Sequence, residues 1–196
     1  DKTRIVSLAQ VSNSLGIKHR KKKIKQRILE KNQRKNEKNQ RKILTIVDGA
    51  QAVAHLKVDV QDLGCDFYCF SAHKIYAPMG IGVVYGRKEL LEEMHPYQAG
   101  GEMIKEVTFA KTTYNVSPYR FEAGTPSVAD VIGFGKALEY INQLGMENII
   151  AHEDKIMQYA TEQLETIDGV RIIGNAKEKA GAISFLVANS HPFDVG

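Results

Sequence analysis

The chain has 196 residues, 43% of them hydrophobic and 26% charged, with a formal net charge of +4. That length suits one domain, or one large and one partial domain, and the composition excludes a disordered, collagen-like or disulfide-stapled chain. The mean charge conceals two unlike parts. Residues 18–42 hold 13 Lys and Arg against 2 Glu, a net of +11, while the rest of the chain holds 14 against 21 Asp and Glu, a net of −7. Cys65 and Cys69 are too few for a disulfide framework, so a reducing cytoplasm is expected. No run of about 18 apolar residues exists, and no membrane span is expected. The opening Asp1-Lys2-Thr3-Arg4 has neither an initiator Met nor signal-peptide character, which suggests a fragment.

Arg4 to Ala9 reads as a short strand and Val11 to Gly16 as a loop. Within residues 18–42 the only large apolar side chains are Ile24, Ile28 and Leu29. Ile24 and Ile28 can form one helical stripe, but nothing apolar follows through residue 42, so the segment is expected as an exposed helix or a disordered loop. Ile43 to Val47 is a continuous apolar run of the kind buried parallel strands show, and Asp48-Gly49 ends it. Asp66 to Phe70 is a second such run, ending at Ser71. Gly82 to Tyr85 is a third, after the turn residues Pro78 and Gly80. Arg87 to Met94 is helix-like, and Tyr97 to Tyr119 reads as a long loop region containing Gly100-Gly101. Thr125-Pro126 predicts a helix start, a hydroxyl cap followed by Pro at the first helical position. Val128, Val131, Ile132, Leu138 and Ile141 follow at helical spacing, and Gly145 closes that helix. A second helix is predicted from Glu147 to Ile167, with Ile149, Ile156, Ala160, Leu164 and Ile167 on one face, then strands at Val170–Ile173 and Ala182–Val187. Strands alternating with helices predict an α/β architecture, with a boundary near Gly145 and an unfinished α+β unit after it.

The densest polar group is Asp48-Gly49-Ala50-Gln51 together with Ser71-Ala72-His73-Lys74. Each follows an apolar strand. Open α/β sheets bind ligands at the carboxyl ends of their strands, so both are expected to face one crevice. An acid at one strand end and Ser-x-His-Lys at the next match the needs of pyridoxal 5′-phosphate. Lys74 can form a Schiff base with an aldehyde, Asp48 can keep a ring nitrogen protonated, and Ser71 and His73 can donate to a phosphate. An Asp or a Lys at a strand end is also commonly just solvated, so this pairing alone leaves both readings open. Cys65, Cys69 and His73 are spaced by four but have no fourth ligand nearby, and no metal site is expected. Gly80, Gly82 and Gly86 do not match the dinucleotide fingerprint.

The strings Ile46-Val47-Asp48-Gly49-Ala50-Gln51-Ala52 and Asp66-Phe67-Tyr68-Cys69-Phe70-Ser71-Ala72-His73-Lys74 resemble the class V aminotransferase family. Within it they are most similar to the SufS-type cysteine desulfurases, also called selenocysteine lyases. Val11-Ser12-Asn13, Pro78 to Tyr85, Gly100-Gly101-Glu102-Met103-Ile104, Arg120 to Pro126 and His191 to Gly196 match in order, so that the resemblance extends over nearly all of the chain except the basic insert 18–42. The resemblance implies the PLP-dependent transferase fold type I, an α/β fold with a mixed, mostly parallel sheet and flanking helices. Residues 1–144 would form part of the large cofactor-binding domain, and residues 145–196 the start of a small α+β C-terminal domain. It implies pyridoxal 5′-phosphate as cofactor, held by Lys74. Asp48 would pair with the pyridinium nitrogen, Gln51 with the phenolic oxygen, and Ser71 and His73 with the phosphate. Asn13 would lie near the substrate or cofactor edge. Thr125 would reach the phosphate of the other subunit of a homodimer, a role compatible with capping a helix. The implied activity converts L-cysteine to L-alanine and leaves sulfur as a persulfide on a separate cysteine, for a sulfur-acceptor protein and iron–sulfur cluster assembly. L-selenocysteine is the alternative substrate.

By the same resemblance that cysteine, and the arginine that grips the substrate carboxylate, lie beyond Gly196, and a phosphate-binding turn and a ring-stacking residue precede Asp1. The isolated chain is therefore expected to be inactive. Cys65 and Cys69 are expected as small buried thiols and not as nucleophiles. The insert 18–42 stands where the family has an amphipathic helix and is longer than ordinary connections by very roughly ten residues. A nucleic-acid arm is one reading of it. No aromatic residue stands among its charges to stack on bases, so an expanded surface loop or the product of a reading-frame slip is preferred, and nucleic acid is not expected as a partner. Two alternatives remain beside the desulfurase. One is a different class V aminotransferase or lyase; the other is a degenerate remnant that binds nucleic acid or a partner through residues 18–42.

Overall fold

The computed structural model describes residues 2–19, 21–37, 42–174 and 176–196, without the side chains of residues 21–24 and 35–37. Strand β1 (Ile5–Ala9) is followed by helix α1 (Lys21–Glu37), strand β2 (Leu44–Asp48), the single turn α2 (Val60–Leu63) and strand β3 (Phe67–Ser71). Strand β4 (Gly82–Gly86) and helix α3 (Lys88–Glu93) complete this part. The sheet runs in the order β1-β2-β3-β4. Its first two pairings are parallel and the β3–β4 pairing is antiparallel, with Asp48 level with Cys69 and Ser71 level with Gly82. The apolar runs form strands because their β-branched and aromatic side chains suit a pleated, half-buried surface. The α/β class and mixed sheet expected from the sequence are present.

Helix α1 takes up residues 21–37 of the basic insert, which are therefore helix and not loop. Its Lys, Arg, Gln and Glu residues are good helix formers, but no acidic residue in the first turn complements the helix dipole. Tertiary contacts hold it down. Ile28 is buried. Asn32 Nδ2 donates to the Ile43 carbonyl at 3.0 Å, and the Ile43 amide donates back to Asn32 Oδ1 at 2.7 Å. Lys25 Nζ donates to the Asp62 carbonyl at 2.9 Å. The Ile24 side chain, the other half of the predicted stripe, lies outside the described residues.

The predicted loop from Tyr97 to Tyr119 contains a hairpin, β5 (Ile104–Val107) and β6 (Thr112–Tyr114), antiparallel with a register shift. Thr108 and Lys111 close its turn, the Thr108 amide donating to the Lys111 carbonyl at 2.8 Å. Helix α4 (Val128–Leu144) begins later than the sequence predicts. The first helical bond runs from the Val131 amide to the Ser127 carbonyl, so Ser127 is the N-cap and neither Thr125 nor Pro126 belongs to the helix. The Ser127 hydroxyl turns to Asp130 Oδ2 at 2.5 Å and leaves the end amides without a side-chain cap.

Gly145 alone separates α4 from α5 (Met146–Glu165). The antiparallel pair β7 (Val170–Ile173) and β8 (Ser184–Val187) and the turn α6 (Pro192–Val195) end the chain. The core joins Val47 and Tyr68 of the sheet to Val53, Cys65, Ile75 and Ile141, with Phe134, Met146 and Ile149 at its margin. The last strands return to the loop after β1. Ile17 bridges to Lys179, the Ala180 amide donates to the Gly16 carbonyl at 2.8 Å, and the Ser184 hydroxyl donates to the Ser14 carbonyl. Among the described residues no helix is long and apolar enough to cross a membrane.

Candidate active site

Parallel pairing brings the carboxyl ends of β1, β2 and β3 to one edge. The Gln10 amide donates to the Asp48 carbonyl and the Gly49 amide to the Cys69 carbonyl, both at 2.8 Å. Asp48 is exposed there, and its Oδ1 accepts from the Ala50 amide at 2.8 Å, which turns the carboxylate along the loop that follows. Gln51 is half-buried in that loop, beside the buried Ala52, Val53 and Ala54.

Ser71 ends β3, and the chain passes directly into a 3-10 turn, Ala72–Ile75. Residues three apart share a face in such a turn. Ala72 and Ile75 are buried, so His73 and Lys74 are driven outward, and both are exposed. Tyr76 stops the turn with φ 62. The loop beyond packs on the start of α4, with Pro78 against Gly133 and Gly80 beside Asp130 Oδ2.

The structure thus gathers Asp48, Gln51, Ser71, His73 and Lys74 on adjacent strand ends. Asn13 belongs to the loop leaving β1 at the same edge; it is exposed, and its Oδ1 accepts from the Ser14 hydroxyl at 3.2 Å. Thr125 is exposed in the loop before α4, and among the described residues no hydrogen bond ties its side chain to the strand-end group.

Two residues to which the sequence reading assigns no role shape this edge from below. Tyr68 and Gln10 are each 2% exposed, and the Tyr68 hydroxyl donates to Gln10 Oε1 at 2.8 Å. Burial pushes the Tyr68 hydroxyl well above the usual tyrosine range, with Cys65, Asp48 and Cys69 adding to it. The available signal was Gln10 directly after the apolar run of β1 and Gly49 after Asp48. Cys69 lies in β3 with its thiol directed to the Val47 carbonyl at 3.8 Å. Burial first and Asp48 second raise that thiol, which keeps it protonated, and Cys65 is buried.

Comparison with known proteins gives a consistent picture. The Aminotransferase class-V family model matches residues 1–196. A cysteine desulfurase of Synechococcus elongatus is 46% identical over 196 residues, all of this chain and 30% of that protein. The crystal structure of the Escherichia coli cysteine desulfurase CsdA, in its S-sulfonic acid form, superposes with a TM-score of 0.87 at 35% identity, covering 97% of this chain and 45% of that one. A variant of the enzyme C-DES with glycine covalently linked to its PLP cofactor shares the fold, with a TM-score of 0.81 at 24% identity over 95% of this chain and 48% of that one. The chain spans less than half the length of these relatives. On the full-length family match and the strand-end arrangement together, the chain belongs to the class V aminotransferase family.

Proposed function

We propose that this chain carries the cofactor-anchoring part of a pyridoxal 5′-phosphate-dependent cysteine desulfurase. The observation that carries the reading is the alignment of Asp48, Ser71, His73 and Lys74 on the carboxyl ends of adjacent strands, the Lys and His forced outward by the buried Ala72 and Ile75. These residues fit the group chemically. The exposed Lys74 amine suits an aldehyde carbon, the Asp48 carboxylate a protonated ring nitrogen, and the Ser71 hydroxyl and His73 imidazole a phosphate. Gln51 would bond the phenolic oxygen, and Asn13 would border the substrate. When bound, the cofactor supplies an electron sink for the carbanion formed at the substrate α-carbon. Asp48 would hold the compensating charge in place, and Lys74 Nζ would carry the substrate proton.

In this reading L-cysteine, or L-selenocysteine, is the substrate and L-alanine the product, with the sulfur passing to a cysteine and then to an acceptor protein. The raised Cys69 thiol and the buried Cys65 do not suit that nucleophile. Residues 1–144 would belong to the larger domain and residues 145–196 to the smaller. The enzyme would be a cytoplasmic homodimer in which Thr125 reaches the partner's phosphate. The exposed apolar residues Val128, Val131 and Ile132 of α4 support a protein contact next to Thr125.

The test is spectroscopic. Mixing the chain with pyridoxal phosphate is expected to produce the absorbance of a lysine-bound cofactor, and Lys74→Ala is expected to abolish it. Identical spectra for the two proteins would reject the reading. Persulfide formation is not expected from the chain alone.

A further inference from the structure

A cavity of about 260 Å³ lies between α1 and the sheet. Lys25, Ile28 and Asn32 share the inward face, and the two polar members spend their head groups on backbone, Lys25 on Asp62 and Asn32 on Ile43. Among the described residues Ile28 and Leu29 are the helix's apolar part of the lining, and Val47 and Leu63 are part of the rest of it.

The charged part of the lining is mainly cationic: Lys25, Lys42 and Arg87 against one carboxylate, Asp66, beside the neutral Asn32, Gln33 and Thr45. That carboxylate is already engaged: Asp66 Oδ2 accepts from the Thr45 amide at 2.7 Å and the Thr45 hydroxyl at 2.8 Å, and Arg87 Nε lies 3.5 Å from Oδ1. Lys42 and Arg87 are exposed, so positive charge sits on the solvent side of an apolar interior.

We propose that this cavity binds a small amphiphilic anion, a monocarboxylate whose hydrocarbon body rests on Ile28, Val47 and Leu63 and whose carboxylate meets Lys42 and Arg87. An apolar body with a few placed polar contacts is the usual form of a small-molecule site. The strand-end residues take no part in it, so the proposal stands independently of the desulfurase reading.

Octanoate is the probe, with octanol as its neutral counterpart, titrated into methyl-labelled chain and followed by NMR. Saturable shifts centred on the methyl groups of Ile28, Val47 and Leu63 are expected. Lys42→Gln, a change at an exposed position, is expected to weaken octanoate by about threefold, the worth of one exposed charge pair, and to leave octanol unchanged. Ile28→Phe fills the space and is expected to remove both. Shifts that are absent, or that centre on Val131 and Ile132 of α4, would overturn the proposal. So would a Lys42→Gln chain that binds octanoate as tightly as the parent.

Discussion

A Cβ on Gly49 would stand 2.1 Å from the Tyr68 ring and hydroxyl, so only glycine lets that ring pass beneath the turn after Asp48. The ring in turn meets Phe70 edge-on at 6.2 Å, and Phe70 meets Phe134 at 6.3 Å, linking the strand-end turn to α4. Tyr68→Phe keeps this packing and removes the donor to Gln10, leaving a buried carbonyl oxygen without its partner. That is expected to cost about 1–3 kcal/mol in urea unfolding. The same variant has a pH signature. Because burial raises the Tyr68 hydroxyl in the folded state, the folded chain binds that proton more tightly than the unfolded chain does. The contribution is fully present below the ordinary tyrosine value of about 10 and falls away above it. Parent stability is therefore expected to decline from about pH 10 upward, and more steeply than that of Tyr68→Phe. Parallel declines would remove the assignment.

Helix α1 shows how far an element's pattern can mislead. Its composition reads as solvated charge, and Asn32 is one polar residue among many. Yet Asn32 takes both backbone groups of Ile43, one residue before β2 begins, and so joins the helix to the strand that ends in Asp48. Asn32→Ala is expected to cost about 1–3 kcal/mol, and to speed amide hydrogen exchange at Ile43 more than at Ile172 in the distant β7. The major strands were legible because a continuous apolar run has few other uses. Helix α5 was legible from its periodicity, and the end of α4 from Gly145. The β5–β6 hairpin was not, because strands of four and three residues beside glycines carry too short a pattern. The start of α4 was misplaced because Thr-Pro and Ser-Val both satisfy cap preferences, and the backbone bond to Ser127 decides between them.

Over the whole molecule, the C-terminal part is tied to the candidate site by contacts far apart in sequence. His55 Nδ1 lies 2.9 Å from both carboxylate oxygens of Glu153, bridging the turn after Gln51 to α5. Tyr76, two residues past Lys74, has its hydroxyl raised by burial first, with Glu153 and Tyr140 adding to it. Gly16 has φ +65, and a Cβ there would lie 2.7 Å from the carbonyls of Ala180 and Ala182, which makes this second junction equally close. The His55–Glu153 pair keeps about a fifth to a quarter of its side-chain surface exposed. A double-mutant cycle with His55→Ala and Glu153→Ala is accordingly expected to give a coupling of about 1 kcal/mol; additive effects would show that the two parts meet without it. By itself the sequence determined the α/β class, the strand ends that bear Asp48, Ser71, His73 and Lys74, and the family, because apolar runs and the short strings that end them are local properties of the chain. Tertiary structure decided that the basic segment docks as a helix over a cavity, that Tyr68 and Gln10 support the strand-end edge, and that His55 and Glu153 tie the turn after Gln51 to α5. Those outcomes depend on pairings between residues 11 to 98 positions apart, which no local pattern encodes.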